Sequence, residues 1–233
     1  MRALEQLEPQ RVFRFFEELC AIPHGSGNCR AVSDWCVAFA GERGLEHYQD
    51  RAGNVILIQE ATPGYEAAEP VILQGHLDMV CAQDPDCPKD MAKEGLNLTV
   101  EGGFVRARGT TLGGDDGIAV AMAMAILDDP SIPHPRLEVV LTTEEEIGML
   151  GAQALDVSPL RGRKLLNLDS EEEGVFTVSC AGGSMVRCTL PVARTSYHGT
   201  VLSVTVRGLA GGHSGTEIHK GRANANVVLG RVL

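Results

Sequence analysis

Short β-branched apolar runs alternate with helix-period segments from about residue 9 to residue 168, and this alternation restricts the chain to a layered α/β fold. Residues 9–20 put Val12, Phe15, Phe16 and Leu19 on one helical face, with Pro9 suited to the first turn. Ile22-Pro23-His24-Gly25-Ser26-Gly27 breaks that helix, and a second over 30–41 buries Val32, Trp35, Cys36 and Phe39. The runs at 54–58 and 71–76 are bounded by turn residues and read as buried strands. Residues 118–127 form an Ala/Met/Ile helix with almost no polar face, which belongs against a sheet. Two more strands are expected at 137–143 and 164–168, giving an α/β layer fold with a largely parallel or mixed sheet.

The texture changes after Gly183. Residues 185–191 and 202–207 alternate like strands exposed on one face, a glycine-rich stretch occupies 208–215, and a helix begins near Asn224. The expected division is a first domain over 1–182 and the β-β-α beginning of a second over 183–233. A domain seldom stops inside such a helix, so further sequence beyond Leu233 is expected.

A net charge of −11 excludes the basic footprint that nucleic acid or anionic lipid requires. The first seven residues lack a signal-peptide core, and no run approaches the roughly 18 apolar residues of a membrane span. The seven cysteines are odd in number and contain no C-x-x-C pair, which argues against a disulfide framework or a zinc knuckle. They read as scattered buried thiols in a reducing cytoplasm, where the protein is expected to reside.

Four predicted strands end in groups able to hold a metal. In Gln74-Gly75-His76-Leu77-Asp78, the two-residue spacing lets imidazole and carboxylate share a face, although a structural histidine fits the same pattern. The loop Gly109-Thr110-Thr111-Leu112-Gly113-Gly114-Asp115-Asp116-Gly117 runs into the apolar helix. Its aspartates suit helix capping, metal binding or a phosphate cradle, the last without the G-K-[ST] that usually accompanies one. Glu144-Glu145-Glu146 follows a third strand; it reads as a solvated acidic turn, or as like charges gathered by a cation. Asp169 ends the fourth strand. Each signal alone has a structural explanation. Together they place one imidazole and at least three carboxylates along one sheet edge, a donor set for a borderline divalent cation. A carboxylate bridging two such ions clamps a hydroxide between them.

Gly75-His76-Leu77-Asp78-Met79-Val80, the 109–117 loop, Glu144-Glu145-Glu146-Ile147-Gly148-Met149, Asn167-Leu168-Asp169-Ser170-Glu171-Glu172-Glu173-Gly174 and Gly211-Gly212-His213-Ser214-Gly215 occur in the order and spacing of the M20-type metallopeptidases. The chain resembles in particular their aminoacyl-histidine (Xaa-His) dipeptidase branch, from the first helix to Leu233. The resemblance implies a three-layer α/β/α zinc-peptidase domain with a mixed sheet, followed by the start of a smaller α+β lid. It implies two divalent ions, zinc before cobalt or manganese, with His76 and Asp169 on one, Glu146 on the other and Asp115 bridging. Asp78 then orients His76, Glu145 is the general base, and His213 from the lid stabilises the tetrahedral oxyanion. A non-proline cis peptide between Asp115 and Asp116 is implied as well.

The implied substrate is a dipeptide with C-terminal histidine, carnosine-like, and the implied assembly is a homodimer through the lid. The alternatives are an N-acyl amino acid deacylase of the same superfamily and a non-catalytic fragment. Family members continue past this point and return a final histidine to the second metal. His24, His47, His134, His198 and His219 are placed in turns or loops and match no motif for that role. Weak binding at the second metal, and weak or absent activity of this chain by itself, are therefore expected.

Overall fold

The computed structural model describes residues 2–170, 172–180, 182, 184, 186–212 and 217–233. Helix α1 (Gln10–Cys20) follows Pro9 and buries Phe15, Phe16, Leu19 and Cys20, the face predicted by the 3.6-residue period. Helix α2 (Arg30–Arg43) closes on Gly44 at φ 66°, the left-handed conformation for which glycine carries no Cβ penalty. Phe15 and Phe39 join the two helices edge to face at 5.4 Å.

The strands are β1 (Glu46–Gln49), β2 (Val55–Gln59), β3 (Val71–His76), the hairpin β4 (Leu98–Glu101) and β5 (Phe104–Ala107), β6 (Leu137–Thr142) and β7 (Lys164–Asn167). Five of them form one mixed sheet in the order β1-β2-β6-β3-β7. Strand β3 runs parallel to both β6 and β7, whereas β2 is antiparallel to β6 and β1 to β2. Central β6 is buried along its whole length, as its apolar sequence requires. The exception in it is Glu138, whose carboxylate accepts from Arg136 Nε at 2.8 Å and from the Arg161 and Gly162 amides at 2.9 Å. A buried charge so compensated is tolerated.

Helix α3 (Gly114–Leu127) packs against β3 and α1, and its Val120, Ala121, Ala123, Met124 and Ala125 vanish into the main core with Leu57, Leu73, Val139 and Leu141. The opposite sheet face is thinner: Ile56, Ile58, Ile72 and Val140 pack under Leu155 and Leu160, next to the short helix α4 (Leu150–Ala154). The α/β architecture with a mixed sheet is therefore as the sequence predicts, while β1, α4 and the β4–β5 hairpin are additions to it.

Internal packing separates two units, Met1–Val175 and Phe176–Leu233. Within the second, a 3₁₀ turn (Ile218–Lys220) precedes α5 (Ala225–Val232), whose N-cap Asn224 accepts from the Asn226 and Val227 amides. The strands expected at 185–191 and 202–207 are not formed among the described residues there. Val186, Leu190, Val201 and Leu202 are exposed. Alternation creates a strand only where a neighbour takes its amides and carbonyls, and no described residue of this unit does so. Among the described residues, no helix is long and apolar enough to cross a membrane.

Candidate metal centre

Because β3, β6 and β7 are parallel, their carboxyl ends share one edge, and the chain leaves each of them through an acidic segment. His76 is the last residue of β3 and stands in register with Thr142 of β6. Helix α3 begins over the same edge: Asp116 Oδ2 accepts the His76 amide at 3.1 Å. Gly75 permits that approach, since a Cβ there would lie 2.6 Å from the same oxygen.

The His76 ring is 1% exposed, with Nε2 3.0 Å from Asp115 Oδ1 and 3.8 Å from Asp169 Oδ2. Its Nδ1 lies 2.9 Å from the Asp78 carbonyl oxygen and 3.5 Å from Asp78 Oδ1. A proton on Nδ1 is thus engaged by Asp78, leaving Nε2 as the donor for a cation. The Asp78 carboxylate also accepts from Ser26 Oγ at 2.8 Å, the Glu145 amide at 2.9 Å and the Glu146 amide at 3.3 Å. One buried carboxylate therefore fixes both the imidazole and the turn that carries two glutamates. Within that turn Glu144 adopts φ 57° and takes the Gly27 amide at 2.7 Å.

Two sets of ligand atoms lie within 4.8 Å of one another: His76, Asp115 and Glu146, and His76, Asp116 and Asp169. His76 belongs to both, and its Nε2 could serve one ion only. Burial opposes charge on the ring, yet Asp78, Asp116 and Asp169 outweigh it and lift the His76 pKa to about 10. Burial raises Asp116 to about 7, with Asp169 and Asp115 adding to it. Glu145 and Glu146 are likewise raised by burial first and by neighbouring acids after it. Asp78 goes the other way: its hydrogen bonds overcome burial and hold it at about 2. Carboxylates crowded so that they resist ionisation, beside one imidazole nitrogen, make a donor set that fits a divalent cation.

The structure thus brings His76, Asp78, Asp115, Glu145, Glu146 and Asp169 to one edge, and the Asp115–Asp116 peptide is cis. His213 lies outside the described residues. Sequence reading gave Asp116 no role apart from its loop's shared alternatives, and it missed Ser26, whose role depends on a bridge between Gly25 and Met79. Two other expectations need correcting. Only Cys20, Cys29 and Cys36 are buried, while Cys81, Cys180 and Cys188 are exposed and Cys87 is half-buried; all seven are free. His47 lies within strand β1, not in a turn or loop.

The profile of the family described as Peptidase family M20/M25/M40 matches residues 72–189. The cytosol non-specific dipeptidase of Escherichia coli (strain K12) is 42% identical across 100% of this chain and 48% of that protein. The crystal structure of an aminoacylhistidine dipeptidase from Vibrio alginolyticus superposes with a TM-score of 0.76 at 37% identity, over 99% of this chain and 47% of that one. A Staphylococcus aureus tripeptidase shares the fold at a TM-score of 0.60 and 23% identity, over 71% of this chain and 44% of that one. The chain spans about half the length of the E. coli and Vibrio dipeptidases.

Proposed function

The chain belongs to peptidase family M20/M25/M40, and from that premise we propose that the protein is a cytoplasmic dinuclear metallo-dipeptidase acting on dipeptides with a C-terminal histidine. The observation that carries this reading is the gathering of Asp115, Asp116, Glu146 and Asp169 about His76 at the carboxyl edge of the sheet. The names of the relatives support dipeptides as the substrate class; the Vibrio protein's name favours histidyl dipeptides and the E. coli protein's a broader range.

In this reading His76 and Asp169 would hold one ion and Glu146 the other, with Asp115 a ligand available to both. Zinc is the expected metal, and cobalt or manganese suits the same donors. When bound, the ions supply Lewis acidity that polarises the scissile carbonyl and makes water a stronger acid. Asp78 keeps the proton of His76 on Nδ1 and so presents Nε2 outward. Glu145 takes the proton of the attacking water on its carboxylate and delivers it to the leaving amine. Its raised pKa moves it toward the value that suits a base and then an acid near neutrality. The Asp78 bond to the Glu145 amide fixes where that carboxylate can reach.

Residues 1–182 form the metal-bearing domain in this proposal and 183–233 begin a lid. His213 would stabilise the tetrahedral oxyanion, and the lid would provide the surface for a homodimer. The test is a substrate panel on the whole protein. Release of histidine from carnosine-like dipeptides, with N-acyl amino acids left intact, supports the assignment. Deacylation without dipeptide cleavage refutes it. Equal turnover of all dipeptides removes the histidine preference and leaves the dipeptidase.

A further inference from the structure

Asp78 is buried, and its carboxylate is held at both oxygens. Oδ1 accepts the Glu145 amide at 2.9 Å and lies 3.5 Å from His76 Nδ1. Oδ2 accepts Ser26 Oγ at 2.8 Å and the Glu146 amide at 3.3 Å. The terminal torsion of an aspartate is broad, so its rotamer alone does not fix the plane of the carboxylate; the hydrogen bonds do. Ser26 supplies the shorter of the two bonds on Oδ2, and a hydroxyl bound to a carboxylate is charge-assisted. Without it Oδ2 keeps one long bond, the carboxylate can turn, and Oδ1 leaves the Glu145 amide and the imidazole together.

Of these four partners, Ser26 alone comes from outside the segments that carry the candidate ligands. It lies in the link between α1 and α2, and that link is strapped to the sheet edge. The Met79 amide donates to the His24 carbonyl at 3.2 Å and the Ser26 amide to the Met79 carbonyl at 3.3 Å, a parallel bridge between Gly25 and Met79. Gly25 permits that approach, since a Cβ there would collide with Cys81 Sγ. The Asn28 amide closes a turn on the Gly25 carbonyl at 2.8 Å. Within that turn the Gly27 amide donates to Glu144 Oε2 at 2.7 Å. Two consecutive residues therefore bond the exit of β3 and the turn after β6, 52 and 117 residues away.

We propose that Ser26 is a positioning residue for the metal centre, acting through Asp78. Its hydroxyl sets the plane of that carboxylate, and with it the His76 ring and the turn that carries Glu145. The assignment rests on the metallo-dipeptidase reading and adds to it a residue that bonds none of the candidate metal ligands through its side chain. Because one carboxylate serves both the ligand and the base, loss of the hydroxyl weakens metal binding and slows turnover, and kcat falls by more than KM rises.

The experiment uses the whole protein and measures zinc affinity by competition with a chelator, and kcat and KM for a histidyl dipeptide at saturating zinc. The variants are Ser26→Ala, Ser26→Thr, Asp78→Asn and the Ser26→Ala/Asp78→Asn pair, each also followed by thermal unfolding. Ser26 is half-buried in a link, so its truncation leaves the fold intact. Ser26→Ala is expected to bind zinc roughly tenfold more weakly, the low end of the loss for a partner that orients a ligand. Ser26→Thr keeps the hydroxyl and restores affinity and kcat. In the Asp78→Asn background Ser26→Ala should cost less than about twofold, because a residue acting through Asp78 has nothing left to act on. Unchanged zinc affinity in Ser26→Ala with only the melting temperature lowered shows a structural role and overturns the proposal, as does an equal loss in both backgrounds. A parent that binds no zinc overturns the metal centre and this assignment together. A parent that binds zinc without cleaving the dipeptide overturns the reaction alone, and the zinc measurements then decide for or against Ser26.

Discussion

The two ends of α3 solve the same electrostatic problem in opposite ways. At its C-terminal cap Asp128 meets Arg11, Arg14 and Arg43, each at 2.8 Å, and Arg43 also lies over the Phe39 ring at 3.8 Å. A carboxylate there opposes the helix dipole, and the guanidinium groups more than offset it. At the N-terminal end Asp115 and Asp116 join Asp169, Glu145 and Glu146 about a single imidazole, and three of these carboxyls are pushed toward the neutral form. One end is closed by cations of the chain itself. The other crowds carboxylates about one imidazole and holds several of them toward the neutral form, and that crowding, more than any single residue, marks the candidate site.

If this contrast is right, substitutions at the two ends should separate chemistry from stability. The largest effect is expected for Glu145→Gln in the whole protein: turnover falls about 10²–10⁴-fold, the usual span for a general base, while metal content stays normal. Retained turnover would show that another group takes the proton. Next comes Asp78→Asn, which keeps the shape of the buried anchor but weakens its hold on His76; metal affinity measured by competition with a chelator should drop about 10–100-fold.

At the other end, Asp128→Ala should lower the unfolding free energy by about 2 kcal/mol, as loss of charge-assisted bonds does. Metal affinity should be untouched, and coupled loss of both would mean the ends are not independent.

The smallest effect concerns acid. Burial works against ionised Asp128, but Arg43 and Arg11 overcome it and hold its pKa below the ordinary carboxylate value. An unfolded chain then binds this proton first as pH falls, so the stabilisation is present above about pH 4 and is lost as pH drops through the depressed value. Asp128→Asn should flatten that part of an acid-unfolding curve, and an unchanged slope would remove Asp128 from it.

How legible these features are in sequence follows from how they are held. Strands β2, β3 and β6 are readable because central strands must be apolar on both faces, and their acidic ends stand out against that background. Strand β1, Glu-His-Tyr-Gln, is an exposed edge whose pairing with β2 alone makes it a strand. The β4–β5 hairpin is four residues a side and half-exposed around Gly102-Gly103, too short for periodicity to mark. Within the site, His76 and Asp78 are visible as a two-residue pattern. Asp116 is not, because its function lies in accepting an amide forty residues away through a gap left by Gly75. The alternation at 202–207 shows the converse: a strand pattern without a partner stays unpaired.

The most direct test of the metal centre is elemental analysis of the purified chain after equilibration with zinc and removal of the free ion, beside His76→Ala treated alike. Bound zinc in the parent that is lost in the variant, with both folded by circular dichroism, is the predicted result. No bound metal in the folded parent, or the same amount in the variant, would contradict the assignment of this sheet edge as a metal centre.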